Sequence, residues 1–535
     1  MPKRDEELKY YTDFIKEGEL LLLPSKDPYF KSHYSSSPLS VLTKFKGTAG
    51  EAIIEKNGKI TLFVDTRYHL LAQKQAYKDV EIYKLNLGET FFEGFQKKFP
   101  KNSILHVNSN IDLVEYLTYD KYFDLRKYTP EEKKLKNKDI DKNAKIFLAN
   151  KKIETKDFNY KIKKLKKLNP NCEKMIIFNL DNIAYLTNLR SYQMKYSSLF
   201  QAVLYLDLKN SNYILFTKTK PEALIPNLKF EKLSQFKNFI KSQKDEILIN
   251  PNEVTLEDFL NIKKPKEFLF QNLNLISTIK TTSEIEHLKK ANKKIDSTLS
   301  AFKKRLKTGL SEYDLANIFE EELISKGGIC PSFQTILALD ENSASIHYSN
   351  YDKKKKIKKE NLILLDCGGY FEGGLATDVT RVFYFGKNPK PIYKKIYTAV
   401  LKAFIACFNS TSTNSGELDF LAREILKPYE KQGFYFNHGL GHGIGTSVHQ
   451  NPPRLALASK DTIKPYQVHS IEPGLYGKDE EGNEFGVRIE NCVYFDLNYK
   501  RHSLTKFEFE DILIDENELN ETEKDFIKNW QTSAK

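Results

Sequence analysis

Residues 361–385 read NLILLDCGGYFEGGLATDVTRVFYF. An apolar run, Leu362 to Leu365, ends in a carboxylate, Asp366. Cys367-Gly368-Gly369 then turns the chain, and a second carboxylate, Asp378, opens the run VTRVFYF. β-Branched and aromatic side chains favour strands, and glycine clusters favour turns. The stretch predicts a hairpin that brings two acids together. The competing reading is that both aspartates merely cap turns, which Asp commonly does.

Three later segments carry residues of the same kind. HGLGHGIGTSVH (438–449) contains His438, His442 and His449. Its four glycines argue against a helix and let the backbone approach something at His442, although a histidine-rich turn can also be a packed loop. HSIEPGLY (469–476) places Glu472 before Pro-Gly at the end of a short apolar strand. In GVRIENCVYF (486–495), Arg488 and Glu490 alternate with Val487 and Ile489 and so share one strand face, either towards solvent or towards a polar site. Taken together, two Asp, two Glu and one His supply mostly oxygen donors. Zinc structural sites prefer Cys and His, whereas carboxylate-rich sets suit harder ions such as Mn²⁺, with Co²⁺ or Fe²⁺ tolerated. Four carboxylates bring a charge of −4, which two divalent cations cancel. A single ion would leave buried negative charge uncompensated. Such a pair of ions lowers the pKa of a bridging water and polarises a carbonyl, the requirement of a two-metal hydrolase.

The rest of the chain reads as a mixed α/β scaffold. AIIEKNGKITLFVD (52–65) predicts a hairpin closed by a type I′ turn at Asn57-Gly58, with a helix following around LLAQKQAY (70–77). Composition turns lysine-rich between about 129 and 168, the best candidate for a first domain boundary. MIIFNL, AVLYLDL and NYILF mark a second strand-rich section running to about Lys280. Ser283 with Glu286, and Ser311 with Asp314, fit N-terminal capping boxes of two helices. No internal repeat is visible. The chain has 535 residues, 40% of them hydrophobic, which excludes a largely disordered protein. No apolar run approaches the ~18 residues of a membrane span, and no secretory signal is recognisable. A cytoplasmic protein is expected. The five cysteines, Cys172, Cys330, Cys367, Cys407 and Cys492, form no CxxC pair and read as free thiols. The net charge is +13, but the lysines are interleaved with acids, so nucleic-acid binding is disfavoured.

In order, LLDCGG, ATDVTR, HGLGHGIG, IEPGLY and VRIEN resemble the peptidase domain of Xaa-Pro aminopeptidases (aminopeptidase P), in the pita-bread group that also holds prolidase and methionyl aminopeptidase. Upstream, KFKGTAGEAIIEKNGKITLFVDTRYHLLAQKQ (44–75) looks like the family's first domain, and NLDNIAYLTNLRS (179–191) like the opening of its second, creatinase-like domain. The resemblance implies an α/β (α+β) chain of the three-domain type. Two creatinase-like domains, 1–145 and 146–280, precede a pita-bread catalytic domain, 281–535. It further implies that Asp366, Asp378, His442, Glu472 and Glu490 hold two divalent ions, Mn²⁺ first, with Co²⁺, Fe²⁺ or Zn²⁺ as alternatives. Glu472 matches the general base. His347 and His449 match histidines that contact the substrate near the scissile carbonyl. His438 and Arg488 match residues beside the proline-side pocket, with Tyr476 lining it. His469 matches no family position and reads as structural. The sequence departs from the family twice: Asp366 and Asp378 are twelve apart where eleven is usual, and Gln450 stands where a Glu is usual.

The function implied is hydrolysis of the imide bond between an N-terminal residue and a proline at position 2, by a homodimer with no membrane association. Prolidase, which cleaves only dipeptides, shares the same ligand set and is the rival within the enzymes. A catalytically silent pita-bread module that binds proteins is disfavoured because all five ligand positions are filled.

Overall fold

The structure is a computed structural model that describes residues 2–25, 37–131, 141 and 143–534. Part of the lysine-rich stretch read as a domain boundary, 132–140 and 142, lies outside the described residues. The chain divides into two compact units. One holds 1–147, 158–195 and 200–271; the other holds 148–157, 196–199 and 272–535.

The first unit contains two six-stranded sheets. In the first, the strand order is Val80–Lys84, Ile60–Val64, Glu51–Glu55, Leu20–Pro24, Ile104–Asn108, Asp124–Tyr128. In the second it is Leu228–Lys232, Asn212–Thr217, Ala202–Asp207, Lys174–Ile177, Ile247–Ile249, Pro265–Glu267. In both sheets the pairings run parallel, antiparallel, antiparallel, parallel, parallel in that order. The unit is thus a structural repeat although the sequence shows none. Strand order is a property of the backbone, and the apolar side chains that fill the shared core have diverged. The predicted hairpin at 52–65 forms, with Ile54 opposite Ile60, but its turn differs from expectation. Five residues separate that pair, an odd number that a two-residue turn cannot close. Gly58 N–H bonds Glu55 O, Glu55 N–H bonds Lys59 O, and only Gly58 takes a positive φ (87°). This is a three-residue loop with a glycine bulge rather than a type I′ turn.

The second unit is built around the strands Asn361–Cys367 and Val379–Phe385, which pair antiparallel over their whole length. Leu362 and Leu364 point into one apolar cluster, Ile363, Leu365 and Cys367 into another. Burial on both faces explains why the run is continuously apolar rather than alternating. Helices Thr282–Arg305 and Glu312–Ser325 pack in one cluster; Pro391–Asn409, Ser415–Leu426 and Glu521–Ala534 pack in the other. The second of these helices starts as read, on a Ser311–Asp314 capping box. The first starts two residues earlier than read, on Thr281 with Glu284. Ile279 is held extended against Gln467, and Lys280 N–H bonds Tyr466 O, so helix can begin only after them. Among the described residues no helix is long and apolar enough to cross a membrane.

Candidate metal centre

The hairpin register puts Asp366 opposite Thr380. Asp378, two residues before Thr380, therefore lies on the same face as Asp366. The segment read as one alternating strand is two: Glu484–Arg488 pairs with Gly474–Lys478, and Asn491–Phe495 pairs with His469–Ile471. The chain changes sheets at Ile489 and Glu490. Arg488 and Glu490 nonetheless reach one spot, because both meet Thr380. Thr380 Oγ1 accepts from Arg488 Nε at 3.1 Å and donates to Glu490 Oε2 at 2.8 Å.

Ligand atoms of Asp378, His442 and Glu490 all lie within 4.8 Å of one another. His442 Nε2 stands 3.7 Å from Asp378 Oδ2 and 3.4 Å from Glu472 Oε1. Asp366 is tied to the group through Arg488, whose Nη2 donates to its Oδ2 at 2.7 Å. Ser470 Oγ accepts from His442 N–H at 3.0 Å and donates to Glu472 Oε1 at 3.2 Å. Asp366, Glu472 and Glu490 thus each have one oxygen fixed by a donor. Asp366 Oδ1, Asp378 Oδ1 and Glu490 Oε1 are buried with no hydrogen-bond partner. Buried polar atoms are rarely left so, and anionic oxygens converging around an imidazole are what hard divalent cations require. The donor set fits two such ions.

The electrostatics agree. Burial, with repulsion from Glu490, Asp366 and Glu472, pushes the Asp378 carboxyl well above its ordinary range. Burial does the same to Glu490, with Glu472 and Asp366 adding to it. Asp366 is raised by burial, against the pull of Arg488. Burial lowers His442 to about 4. The imidazole is therefore neutral at pH 7. Its Nδ1–H donates to Gly443 O at 3.2 Å, which leaves Nε2 with the lone pair that faces the carboxylates.

A second chain of bonds runs outward from Arg488. Its Nη1 donates to Tyr476 OH at 2.6 Å, Tyr476 donates to His438 Nε2 at 3.0 Å, and His438 Nδ1–H donates to Gly439 O at 2.8 Å. His449 is exposed, its ring centroid 4.2 Å from that of His442. His347 is half-buried beside Ile346, whose carbonyl accepts from Arg488 at 3.4 Å. His469 is wholly buried, its Nδ1 on Gln467 O at 3.1 Å. Thr380 and Ser470 were missed by sequence reading. Each stands two residues along the chain from a candidate ligand, Thr380 from Asp378 and Ser470 from Glu472, so the two-residue period that paired Arg488 with Glu490 would have found both.

Comparison with known proteins accords with this geometry. The profile described as metallopeptidase family M24 matches residues 286–496, and the creatinase/prolidase N-terminal domain profile matches 137–286. The Xaa-Pro dipeptidase of Pyrococcus furiosus is 30% identical over 55% of this chain and 83% of its own length. A probable Xaa-Pro aminopeptidase P of Coprinopsis cinerea is 25% identical over 96% of this chain and 91% of its own. Among solved structures, the X-prolyl aminopeptidase of Caenorhabditis elegans, a cytosolic enzyme with a di-nuclear active site, superposes with a TM-score of 0.86 at 19% identity. That match covers 99% of this chain and 95% of the other. The architecture is thus that of creatinase-type N-terminal domains followed by a pita-bread catalytic domain. With a converging acid–imidazole cluster inside the matched segment and a 30% identical relative covered over most of its length, the chain belongs to metallopeptidase family M24.

Proposed function

We propose that this protein is an Xaa-Pro aminopeptidase, removing the first residue of peptides whose second residue is proline. The observation that carries the reading is the convergence of Asp378, Glu472 and Glu490 on His442, with Asp366 joined to the group through Arg488 and three buried carboxylate oxygens left without partners. Those five side chains would hold two divalent ions, Mn²⁺ before Co²⁺, Fe²⁺ or Zn²⁺ given the oxygen-rich donors. When bound, the ions supply a water acidic enough to ionise near neutral pH and a Lewis acid for the carbonyl.

The residues of the chain do the rest. The bond before proline has no N–H, so a site that recognises the pyrrolidine ring rather than a peptide N–H is required. Tyr476, braced by Arg488 and His438, shapes that pocket. His347 and His449 contact the substrate at the scissile carbonyl. Glu472 takes a proton from the attacking water and delivers it to the proline nitrogen as the C–N bond breaks. The three-part division 1–145, 146–280 and 281–535, a homodimer and a cytoplasmic location belong to the same reading.

Relatives bearing the aminopeptidase name align with nearly the whole chain, whereas the 30% identical dipeptidase aligns with 55% of it. This favours the aminopeptidase over prolidase. The test compares a Xaa-Pro-Pro tripeptide with a Xaa-Pro dipeptide in the presence of Mn²⁺, with elemental analysis of the purified protein. Release of the first residue from the tripeptide is expected. Cleavage confined to the dipeptide would make the protein a prolidase.

A further inference from the structure

The unit that holds the candidate ligands takes in a short segment from far earlier in the chain, Tyr196–Leu199. Ser198, in its middle, is wholly buried. Its hydroxyl lies 2.6 Å from Gly374 O and 3.0 Å from Thr446 O. Gly374 belongs to the hairpin loop that joins Asp366 to Asp378. Thr446 belongs to the loop that joins His442 to His449. A serine hydroxyl has one proton, so it donates to the nearer Gly374 O and shares with Thr446 O. Tyr370 OH also donates to Thr446 O, at 3.0 Å. Ala376 N–H bonds Gly445 O at 2.7 Å, so backbone and side chains together clip the two loops to each other.

The hairpin tip is braced from the other side as well. Asn150 Nδ2 donates to Glu372 Oε1 at 2.7 Å. Gly373 has φ 96°, and a Cβ there would stand 2.9 Å from the Ile153 side chain and 3.2 Å from His287 Nε2. These contacts hold the tip of the loop between the two aspartates.

We propose that Ser198, with Tyr370, is a positioning residue of the metal centre: it ties the loop between the two aspartates to the loop that follows the ligand histidine. The proposal rests on the ligand set proposed above. A serine-to-alanine change nearly conserves volume and removes one donor, so it should loosen the register of the loops without unpacking the core.

The test titrates Mn²⁺ into metal-stripped wild type, Ser198→Ala and Asp378→Ala by calorimetry, and compares melting with and without metal. For Ser198→Ala we expect Mn²⁺ binding weakened about 10–100-fold, the range for residues that support metal ligands. Its metal-free melting temperature should fall by only the few degrees that one lost buried donor costs, and turnover should recover at high Mn²⁺. Unchanged affinity with lowered metal-free melting would make Ser198 a purely structural residue and overturn the proposal. Asp378→Ala binding Mn²⁺ as wild type does would instead overturn the ligand set itself. Should Ser198→Ala fail to fold, Tyr370→Phe gives the same readout: weaker Mn²⁺ binding supports the tether and unchanged binding refutes it.

Discussion

Replacing Asp378 by asparagine should have opposite effects on the metal-free and the metal-loaded protein. Asp378 and Glu490 are buried, and their ligand atoms lie within 4.8 Å of each other. Two unit charges at that distance repel by about 3.5 kcal/mol at an effective dielectric constant of about 20. Protonation relieves part of this, as the raised carboxyls of both residues indicate. Asparagine removes the repulsion and keeps the shape. At about 2–4 °C per kcal/mol for a unit of this size, the metal-free variant should melt several degrees above metal-free wild type, and about 14 °C above it if the full repulsion is relieved. With metal the order reverses. An ion at a hundred times its Kd stabilises wild type by about 2.7 kcal/mol, and the variant, one anionic ligand short, should lose most of that gain. The assay is thermal unfolding of chelator-stripped protein with and without Mn²⁺. A variant that melts below wild type without metal, yet shows the full Mn²⁺ shift, would refute the reasoning.

Glu472→Gln, assayed at saturating Mn²⁺ because the residue is also a candidate ligand, should lower kcat by about 10²–10⁴-fold and weaken metal binding as well; near-full turnover would remove the glutamate from its role as base. Arg488→Met strands Asp366 in a buried position and should cost about 3–5 kcal/mol of stability, whereas Tyr476→Phe, which loses two hydrogen bonds outside the carboxylate cluster, should cost about 1–3 kcal/mol; denaturant melts separate the two. Asp296 lies outside the centre, accepts a 2.8 Å bond from Lys506 N–H and is raised by burial to about 6. A carboxyl raised in the fold destabilises once ionised, so the cost sets in as pH climbs past about 4 and is complete above about 6. Asp296→Asn should therefore be more stable than wild type by about 1–3 kcal/mol at pH 7.5, with the difference gone near pH 4; equal gains at both pH values would count against it.

The hairpin 361–385 was legible because an apolar run buried on both faces cannot be mistaken for a surface strand, and because its end is a carboxylate rather than another apolar residue. The capping signal was legible at Ser311 but ambiguous at Thr281 and Ser283, since both patterns place a Glu three residues on. A distant pairing, Ile279 with Gln467, sets the earliest point at which helix can begin, and the first cap after it, Thr281, is the one used. The turn at Asn57-Gly58 shows the same limit: dipeptide preference suggests a two-residue turn, while the Ile54–Ile60 register forbids one. At the centre, the ligand positions stood out by residue type, whereas Thr380 and Ser470 did not, because a hydroxyl gains meaning only from the two charged groups it stands between. The repeated sheets of the first unit were invisible because hydrogen bonding between strands leaves little trace in side-chain identity.

The bonds leading from Arg488 through Tyr476 and His438 to Gly439 have a fixed polarity. Each donor points away from the guanidinium, and the last acceptor is a carbonyl that cannot give a proton back. Reversal would require arginine to deprotonate, which it does not do in proteins. His438 is thereby committed to one tautomer, with one nitrogen receiving from tyrosine and the other giving to the backbone. It is wired as a strut between the tyrosine and the backbone.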